Sequence, residues 1–329
     1  MEYKGINNPL IIAEAGVSHF GNLSKALSLV DLAADSGADC IKFQHYKTDD
    51  LYSDNMQEWK NRMRSKEVED EFIFKIFDYS KQRNIPFILT PHTESALPII
   101  EKINPPFIKI GSGELGNFDF LDKVKLLNKE IVVSTGMHSK KDIEKLVNYF
   151  HNYSPGFALL HCTTSYPTSP PSRNLKAIKT LIDEFPDVTI GYSDHTESSI
   201  SCILALALGA KIIEKHISLD FNIENAQDWR VSCGPADFPK FIQDIRECSV
   251  SLGTGELLIQ KDEVESIKWA IKRLSIKNDL KKGDSLKKIN IKSIRSDKGI
   301  PISEMDNYIE KKINKNLKGG EILSYSDFN

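Results

Sequence analysis

Cysteine is scarce in this chain and follows no pattern. The five cysteines, Cys40, Cys162, Cys202, Cys233 and Cys248, are odd in number and show neither CxxC nor metal-ligand spacing. That argues against a disulfide framework or a zinc ribbon and fits reduced thiols in the cytoplasm. No apolar run approaches the ~18 residues that a bilayer demands. The opening MEYKGINN has no apolar signal segment, so neither secretion nor a membrane partner is expected. An RNA-binding aromatic signature and a zinc-finger pattern are also missing. Their absence matters because charge is uneven. From Ala270 onward there are 14 Lys and Arg against 8 Asp and Glu, a surplus of six positive charges, whereas the preceding residues carry 29 against 38. A basic tail can mean nucleic acid, but here the cations are interleaved with Asp and Glu. Docking on an acidic protein surface is expected, and no nucleic-acid partner.

What the chain does have is length and regularity. Its 329 residues, 40% hydrophobic, suffice for one large core and a smaller module. Eight short β-branched runs recur: LIIAEAG, CIKFQ, PFILTP, FIKIGSGE, IVVSTG, FALLHCT, VTIGYSDH and KIIEKHI. Between them lie stretches with apolar residues at helical spacing, such as SKALSLVDLAADSG and SKKDIEKLVNYFHN. The strands are apolar on both faces, as parallel strands covered by helices must be. This order predicts a (β/α)8 TIM barrel over about residues 10–252, with a doubly wound open sheet as the less regular alternative. The expected domains are a barrel at 1–252, a linker at 253–269 and a small basic domain at 270–329.

Barrel enzymes place their chemistry at the C-terminal strand ends. The ends here are polar: Glu14; Lys42 and Gln44; Thr90; Lys109, Ser112 and Glu114; Ser134; Thr164 and Tyr166; Ser193 and His195; Glu214, Lys215 and His216. Any one of them could be a helix cap or loop residue, but eight polar ends converging on one rim exceed what capping needs. The connection Tyr46–Lys66 is long for a βα loop and reads as a lid or a wall of the site. His195 and His216 end adjacent strands and make a plausible two-imidazole site for Mn²⁺ or Mg²⁺, completed by carboxylate, water or substrate oxygen. Glu214, just before His216, is expected to face away and to act only through a neighbour. Lys42 and Lys109, among hydroxyls, could cradle a phosphate or carboxylate. Alternatively they could pair with Glu14 or Glu114, or Lys42, Lys109 or Lys215 could form a Schiff base with a keto acid. Carbon–carbon bond formation on a small phosphorylated acid is the reaction class these residues suit.

In order along the chain, IIAEAGVSHFGNLSKALSLVDLAADSGADCIKFQ, IKIGSGE, STGM, HCTTSYPT, GYSDHT and EKH closely resemble the motifs of the N-acetylneuraminate (sialic acid) synthase family, which includes legionaminate and pseudaminate synthases. KRLSIKNDLKKGDSL, IRSDKGI and KNLKGGEILSYSDF resemble its C-terminal antifreeze-like (SAF) domain. The resemblance implies a metal-dependent transferase that condenses phosphoenolpyruvate with an N-acylated hexosamine to a nine-carbon 2-keto acid and phosphate. It also implies a homodimer in which each β-rich cap covers the partner's barrel. Carried over by motif, Lys42, Thr90, Lys109, Ser112, Ser134, Thr164 and Ser193 would hold phosphoenolpyruvate. His195 and His216 would bind the metal, and Glu14 and Glu114 would take part in the chemistry. Gln44, Tyr166, Asp228 and Arg295 would position the sugar, Arg295 from the partner's cap. The family's usual Asn stands here as Thr164, its DH pair as Asp228-Trp229, and the cap's RPG as RSD around Arg295. These departures bear on the acceptor, which could be N-acetylmannosamine or a 2,4-diacylamino-6-deoxy hexose. A Schiff-base aldolase and, less favoured, a nucleic-acid-binding protein are the other classes.

Overall fold

Alternation along each strand decides where its residues go, and the computed structural model, which describes residues 8–224 and 226–328, shows the result. Eight strands, β1 (Leu10–Gly16), β2 (Cys40–His45), β3 (Phe87–Pro91), β4 (Phe107–Ile110), β5 (Glu130–Ser134), β6 (Phe157–Cys162), β7 (Thr189–Asp194) and β8 (Ile212–His216), form one sheet in the order β3-β2-β1-β8-β7-β6-β5-β4. Every laddered pair in it is parallel. β3 and β4 lie side by side without a ladder, so the sheet is a nearly closed barrel. The strands occupy the eight apolar runs of the sequence, with one difference. The fourth ends at Ile110, and Ser112–Glu114 turn into a short 3-10 helix.

Around the barrel run α1 (Leu23–Ser36), α4 (Asp70–Gln82), α5 (Leu97–Ile103), α6 (Phe118–Lys125), α7 (Lys140–Phe150), α8 (Lys176–Glu184), α9 (Ile200–Ala207) and α10 (Phe238–Ser251). The Tyr46–Lys66 connection adds the short helices α2 (Thr48–Leu51) and α3 (Gln57–Arg64). Local chemistry sets the helix ends. The Asn22 side chain accepts from the Lys25 N–H at 3.1 Å to start α1, and Gly37 ends it in the left-handed region at φ 83°. Ser139 and Asp142 form a capping box at the start of α7.

The barrel interior has two storeys. At its N-terminal end Ile12, Cys40, Ile88, Phe107, Val132, Leu160 and Ile212 pack into a buried apolar plug. Two residues further along the same strands, on the same face, stand Glu14, Lys42, Thr90, Lys109, Ser134, Cys162 and Glu214. The outward positions between them, including Ile11, Ala13, Ile41, Phe43, Ile108, Val133 and Ile213, are buried against the helices. No helix among the described residues is long and apolar enough to cross a membrane.

A second compact unit begins at Gly255. It contains α11 (Val264–Ala270) and an antiparallel pair, β9 (Lys272–Ile276) and β10 (Ile291–Arg295), in which Ile291 faces Ile276 and Arg295 faces Lys272. Leu274, Ile276, Leu286, Ile291, Ile300, Ile313, Leu317 and Leu323 form its own core.

Gly191 tests the tightness of the barrel. A Cβ there would meet Leu160 Cδ2 at 2.5 Å and both Ile212 Cβ and the Ile212 carbonyl oxygen at 2.6 Å. Two of these three atoms belong to strand backbone or its root and cannot swing aside. Gly191→Ala is therefore expected to cost about 1–3 kcal/mol through overpacking, read as a lowered urea midpoint. An unchanged midpoint would show that β6 and β8 can spread there.

Candidate active site

A cavity of about 390 Å³ opens at the C-terminal end of the barrel, within the size range of small-molecule sites. Glu14, Lys42, Gln44, Thr90, Lys109, Ser112, Glu114, Ser134, Thr164, Tyr166, Ser193, His195, His216 and Asp228 all line it. Arg295 belongs to the second unit, exposed at the end of β10, with its guanidinium over the Trp269 ring at 5.8 Å from the centroid.

The floor is a buried network of two lysines and two carboxylates. Lys42 Nζ lies 2.9 Å from Glu14 Oε2 and 3.6 Å from Glu214 Oε2, and it donates to Thr90 Oγ1 at 3.2 Å. Lys109 Nζ donates to Ser134 Oγ at 2.6 Å and to the Ile110 carbonyl at 3.0 Å, with Glu214 Oε1 at 3.8 Å. Ser193 donates to Glu214 Oε1 at 2.9 Å, and Gln44 to Glu14 Oε1 at 2.7 Å. Burial alone would lower the pKa of Lys42, but Glu14 and Glu214 outweigh it and raise it. For Lys109 burial prevails, with Glu214 opposing, and its pKa falls. Burial also holds Glu14 above the usual carboxylate range despite Lys42. For Glu214, burial is overcome by Lys109 and Lys42, and its pKa falls.

Glu214 corrects the reading that it faces away from the site. It stands two residues before His216, not one, so both point into the barrel and Glu214 bridges the two lysines. Lys215 takes the opposite face. It is fully buried, 2.6 Å from Asp194 Oδ2, and donates to the Thr196 carbonyl at 2.5 Å. Lys215 is therefore no candidate for a Schiff base in this cavity. Lys109 does not pair with Glu114, which is half-buried and accepts from Asn117 Nδ2 at 2.7 Å; burial raises its pKa.

The two histidines meet as expected, with ring centroids 5.3 Å apart, and Tyr166 lies 4.1 Å from His195 and 5.9 Å from His216. His195 Nδ1 donates to the Thr163 carbonyl at 2.8 Å, so in the neutral ring Nε2 carries the lone pair; burial would lower the pKa of this ring, but Cys162 and the Thr163 carbonyl raise it. His216 Nδ1 is buried without a partner among the described residues, and burial pushes this imidazole well below its ordinary pKa. A neutral ring and an oriented ring form a donor pair suited to a divalent cation. No cluster of three or more His, Cys, Asp or Glu able to hold an ion occurs among the described residues.

Close backbone approach shapes the rim. The Gly136 N–H donates to Ser112 Oγ at 2.9 Å, and a Cβ on Gly136 would collide with Ser112 Oγ and Thr164 Oγ1. Gly16 adopts φ 55° where the β1–β2 register shifts, directly beside Glu14 and Gln44.

Several lining residues were not singled out in the sequence: His92, Trp59, Arg62, Lys66 and Gln227. His92 follows the third strand, and burial together with Lys42 and Lys109 pushes its pKa down to about 4. Its place directly after PFILTP was a usable signal. The others come from the Tyr46–Lys66 connection, which forms a wall of the cavity through Leu51, Tyr52, Trp59, Arg62, Met63 and Lys66, or from the segment after β8.

Similarity to known proteins agrees with this geometry. The NeuB family pattern matches residues 29–257. The chain belongs to the NeuB family. It is 33% identical to the N,N'-diacetyllegionaminic acid synthase of Campylobacter jejuni, over 95% of this chain and 98% of that protein. It is 30% identical to the pseudaminic acid synthase of the same organism, over 97% and 96%. Among solved structures, an N-acetylneuraminic acid (sialic acid) synthetase from Leptospira borgpetersenii, crystallised with citrate, superposes with a TM-score of 0.75 at 35% identity. That match covers 80% of this chain and 91% of that one.

Asp194 and Lys215 form the outward-facing pair behind this NeuB family site. Lys215→Met is expected to cost about 3–5 kcal/mol by leaving the Asp194 carboxylate buried without its cation, measured by denaturant unfolding. Asp194→Asn/Lys215→Met should recover at least half of that loss. Equal losses in the single and double variants would show that the two do not act as a pair.

Proposed function

We propose that this NeuB family protein is a nonulosonic acid synthase. It condenses phosphoenolpyruvate with an N-acylated hexosamine and water to give a nine-carbon 2-keto acid and phosphate. One observation carries the reading: the strand-end residues converge in a single cavity, with a lysine–carboxylate floor beside an oriented histidine pair. The names of its synthase relatives support it.

In this reading Lys42, Thr90, Lys109, Ser112, Ser134, Thr164 and Ser193 hold phosphoenolpyruvate, whose phosphate and carboxylate match ammonium and hydroxyl donors. His195 and His216 would hold Mn²⁺ or Mg²⁺, with substrate and water oxygens completing its coordination. When bound, such an ion polarises the sugar's aldehyde. Glu14, Gln44, Tyr166 and Asp228 orient the open-chain sugar so that C3 of phosphoenolpyruvate faces the aldehyde carbon. As that bond forms, the aldehyde oxygen takes a proton from the acid form of Glu114 and positive charge develops at C2. Water adds at C2 and loses a proton to Glu114, whose pKa burial raises. The tetrahedral centre then expels phosphate by C–O cleavage, its hydroxyl proton passing to the departing phosphate, which leaves the 2-keto group. Arg295 would reach the acceptor from the partner subunit's cap in a homodimer, and the soluble substrates fit a cytoplasmic enzyme. The lowered pKa of Lys109 also suits a Schiff base; that aldolase would release no phosphate and would be trapped by borohydride.

Purified protein with phosphoenolpyruvate, Mn²⁺ and a panel of N-acyl hexosamines should release phosphate in step with a 2-keto acid. EDTA should abolish this, and His195→Ala or His216→Ala should lower turnover at least 100-fold and weaken Mn²⁺ binding seen by paramagnetic relaxation. Full activity after metal stripping would overturn the metal assignment, and keto-acid formation without phosphate would overturn the condensation.

Arg295→Ala should impair sugar use while sparing the KM for phosphoenolpyruvate. Mixing inactive Arg295→Ala and His195→Ala subunits should restore part of the activity, because a mixed dimer keeps one site with both residues. Verified subunit exchange without recovered activity would rule out a shared site.

A further inference from the structure

Lys66 closes the connection that walls the cavity. It is only 8% exposed, yet it lines the site. Other cations of this connection find carboxylates close by: Lys47 pairs with Glu67 and Glu69, Lys60 with Asp49 and Asp54, and Arg64 with Asp49. Among the described residues Lys66 has no carboxylate within salt-bridge distance and no hydrogen-bond acceptor for its ammonium; the Phe20 ring centroid lies 5.7 Å away. The charges acting on it are Asp228 and Arg62, one of each sign, and burial pushes its pKa down. Arg62 lines the same cavity, its guanidinium 4.5 Å from the Trp59 ring centroid. The lysine is mostly buried but its ammonium opens on the cavity, with Asp228 acting on it from beyond ion-pair distance and Arg62 opposing, so a ligand that brings a negative charge into contact is favoured there.

We propose that Lys66, with Arg62 beside it, binds an anionic substituent of the acceptor sugar, a phosphate monoester or a carboxylate, at the end remote from the aldehyde. This rests on the condensation reading above. The donor's own phosphate and carboxylate have Lys42, Lys109 and the strand-end hydroxyls on the cavity floor, where the lysines face Glu14 and Glu214. Lys66 instead comes from the wall beside Asp228. An aldehyde at the His195–His216 pair leaves the far end of the sugar chain to this wall. A 6-deoxy acceptor would bring Lys66 no anion, so this wall selects against the diacylamino-6-deoxy hexose.

Steady-state phosphate release is measured with N-acetylmannosamine, its 6-phosphate and the corresponding uronate. An anionic acceptor should exceed the neutral one in kcat/KM by roughly 10- to 100-fold, the scale of one charge-assisted contact. Lys66→Met should collapse that ratio, and Lys66→Arg should keep most of it. Best use of the neutral sugar, or an equal loss on every acceptor in Lys66→Met, overturns the proposal, as does an effect confined to the KM for phosphoenolpyruvate. Calorimetric titration of the 6-phosphate and the uronate into wild type and Lys66→Met, with phosphoenolpyruvate present, separates the two readings. Binding that is lost in the variant without any turnover keeps the anion site and removes the condensation. No binding of either anion to wild type removes the anion site.

Discussion

The buried ion pair between Asp194 and Lys215 underlies the arrangement of the site. Both residues are fully buried, and Asp194 also accepts from Tyr192 and Thr196. Two such charges survive away from water only because geometry and additional hydrogen bonds compensate their desolvation. The pair ties the ends of β7 and β8 together on the outward face. Alternation then leaves Ser193 and Glu214 on the inward face, level with one another. His195 and His216 follow at the rim. A one-residue slip between these strands would break the pair and turn the inward groups away from the cavity.

The same alternation explains how one barrel is both stable and reactive. Apolar residues seal its lower half, and two steps later each strand offers a polar group to the upper half. The plug excludes water from below, which strengthens every electrostatic interaction above it. Lys42 and Lys109 therefore sit where their environments separate their pKa values in opposite directions. Lys42 is held by two carboxylates, while Lys109 shares one of them and depends on Ser134 and a carbonyl. Small residues make the closeness possible: Gly191 between strands, Gly136 against Ser112 and Thr164, and Gly16 at the register shift beside Glu14.

The wall contributed by the connection after β2 differs in kind from the floor. Floor residues are set by strand register and supply balanced charge, two ammonium groups against two carboxylates. The wall presents Tyr52 stacked on Trp59, Arg62 over the same indole, and Lys66 with no carboxylate at salt-bridge distance among the described residues. Floor and wall face the same cavity but are built by different parts of the chain, so under the proposed function the two can vary separately; relatives in the family are named for legionaminic and pseudaminic acid.

Period and composition alone determined much of this protein. Eight β-branched runs separated by helical spacing specified the barrel, and a polar group at the end of each run specified the rim, because both are local properties of the chain. The convergence of Glu14, Lys42, Lys109, Ser134, Ser193, His195 and His216 followed from them. Other features depend on partners distant in sequence. Lys42 is paired with Glu14 and Glu214, while Glu114 turns away from Lys109 because the fourth strand stops at Ile110. Local spacing cannot distinguish these lysines, since the distinction lies in ladder register across several strands. Lys66 is one of five cations in a connection that holds only the short helices α2 and α3. Only the tertiary structure decides that Lys47, Lys60 and Arg64 find carboxylates there while Lys66 is buried against the cavity without one, because burial and pairing arise when the connection folds back over the barrel.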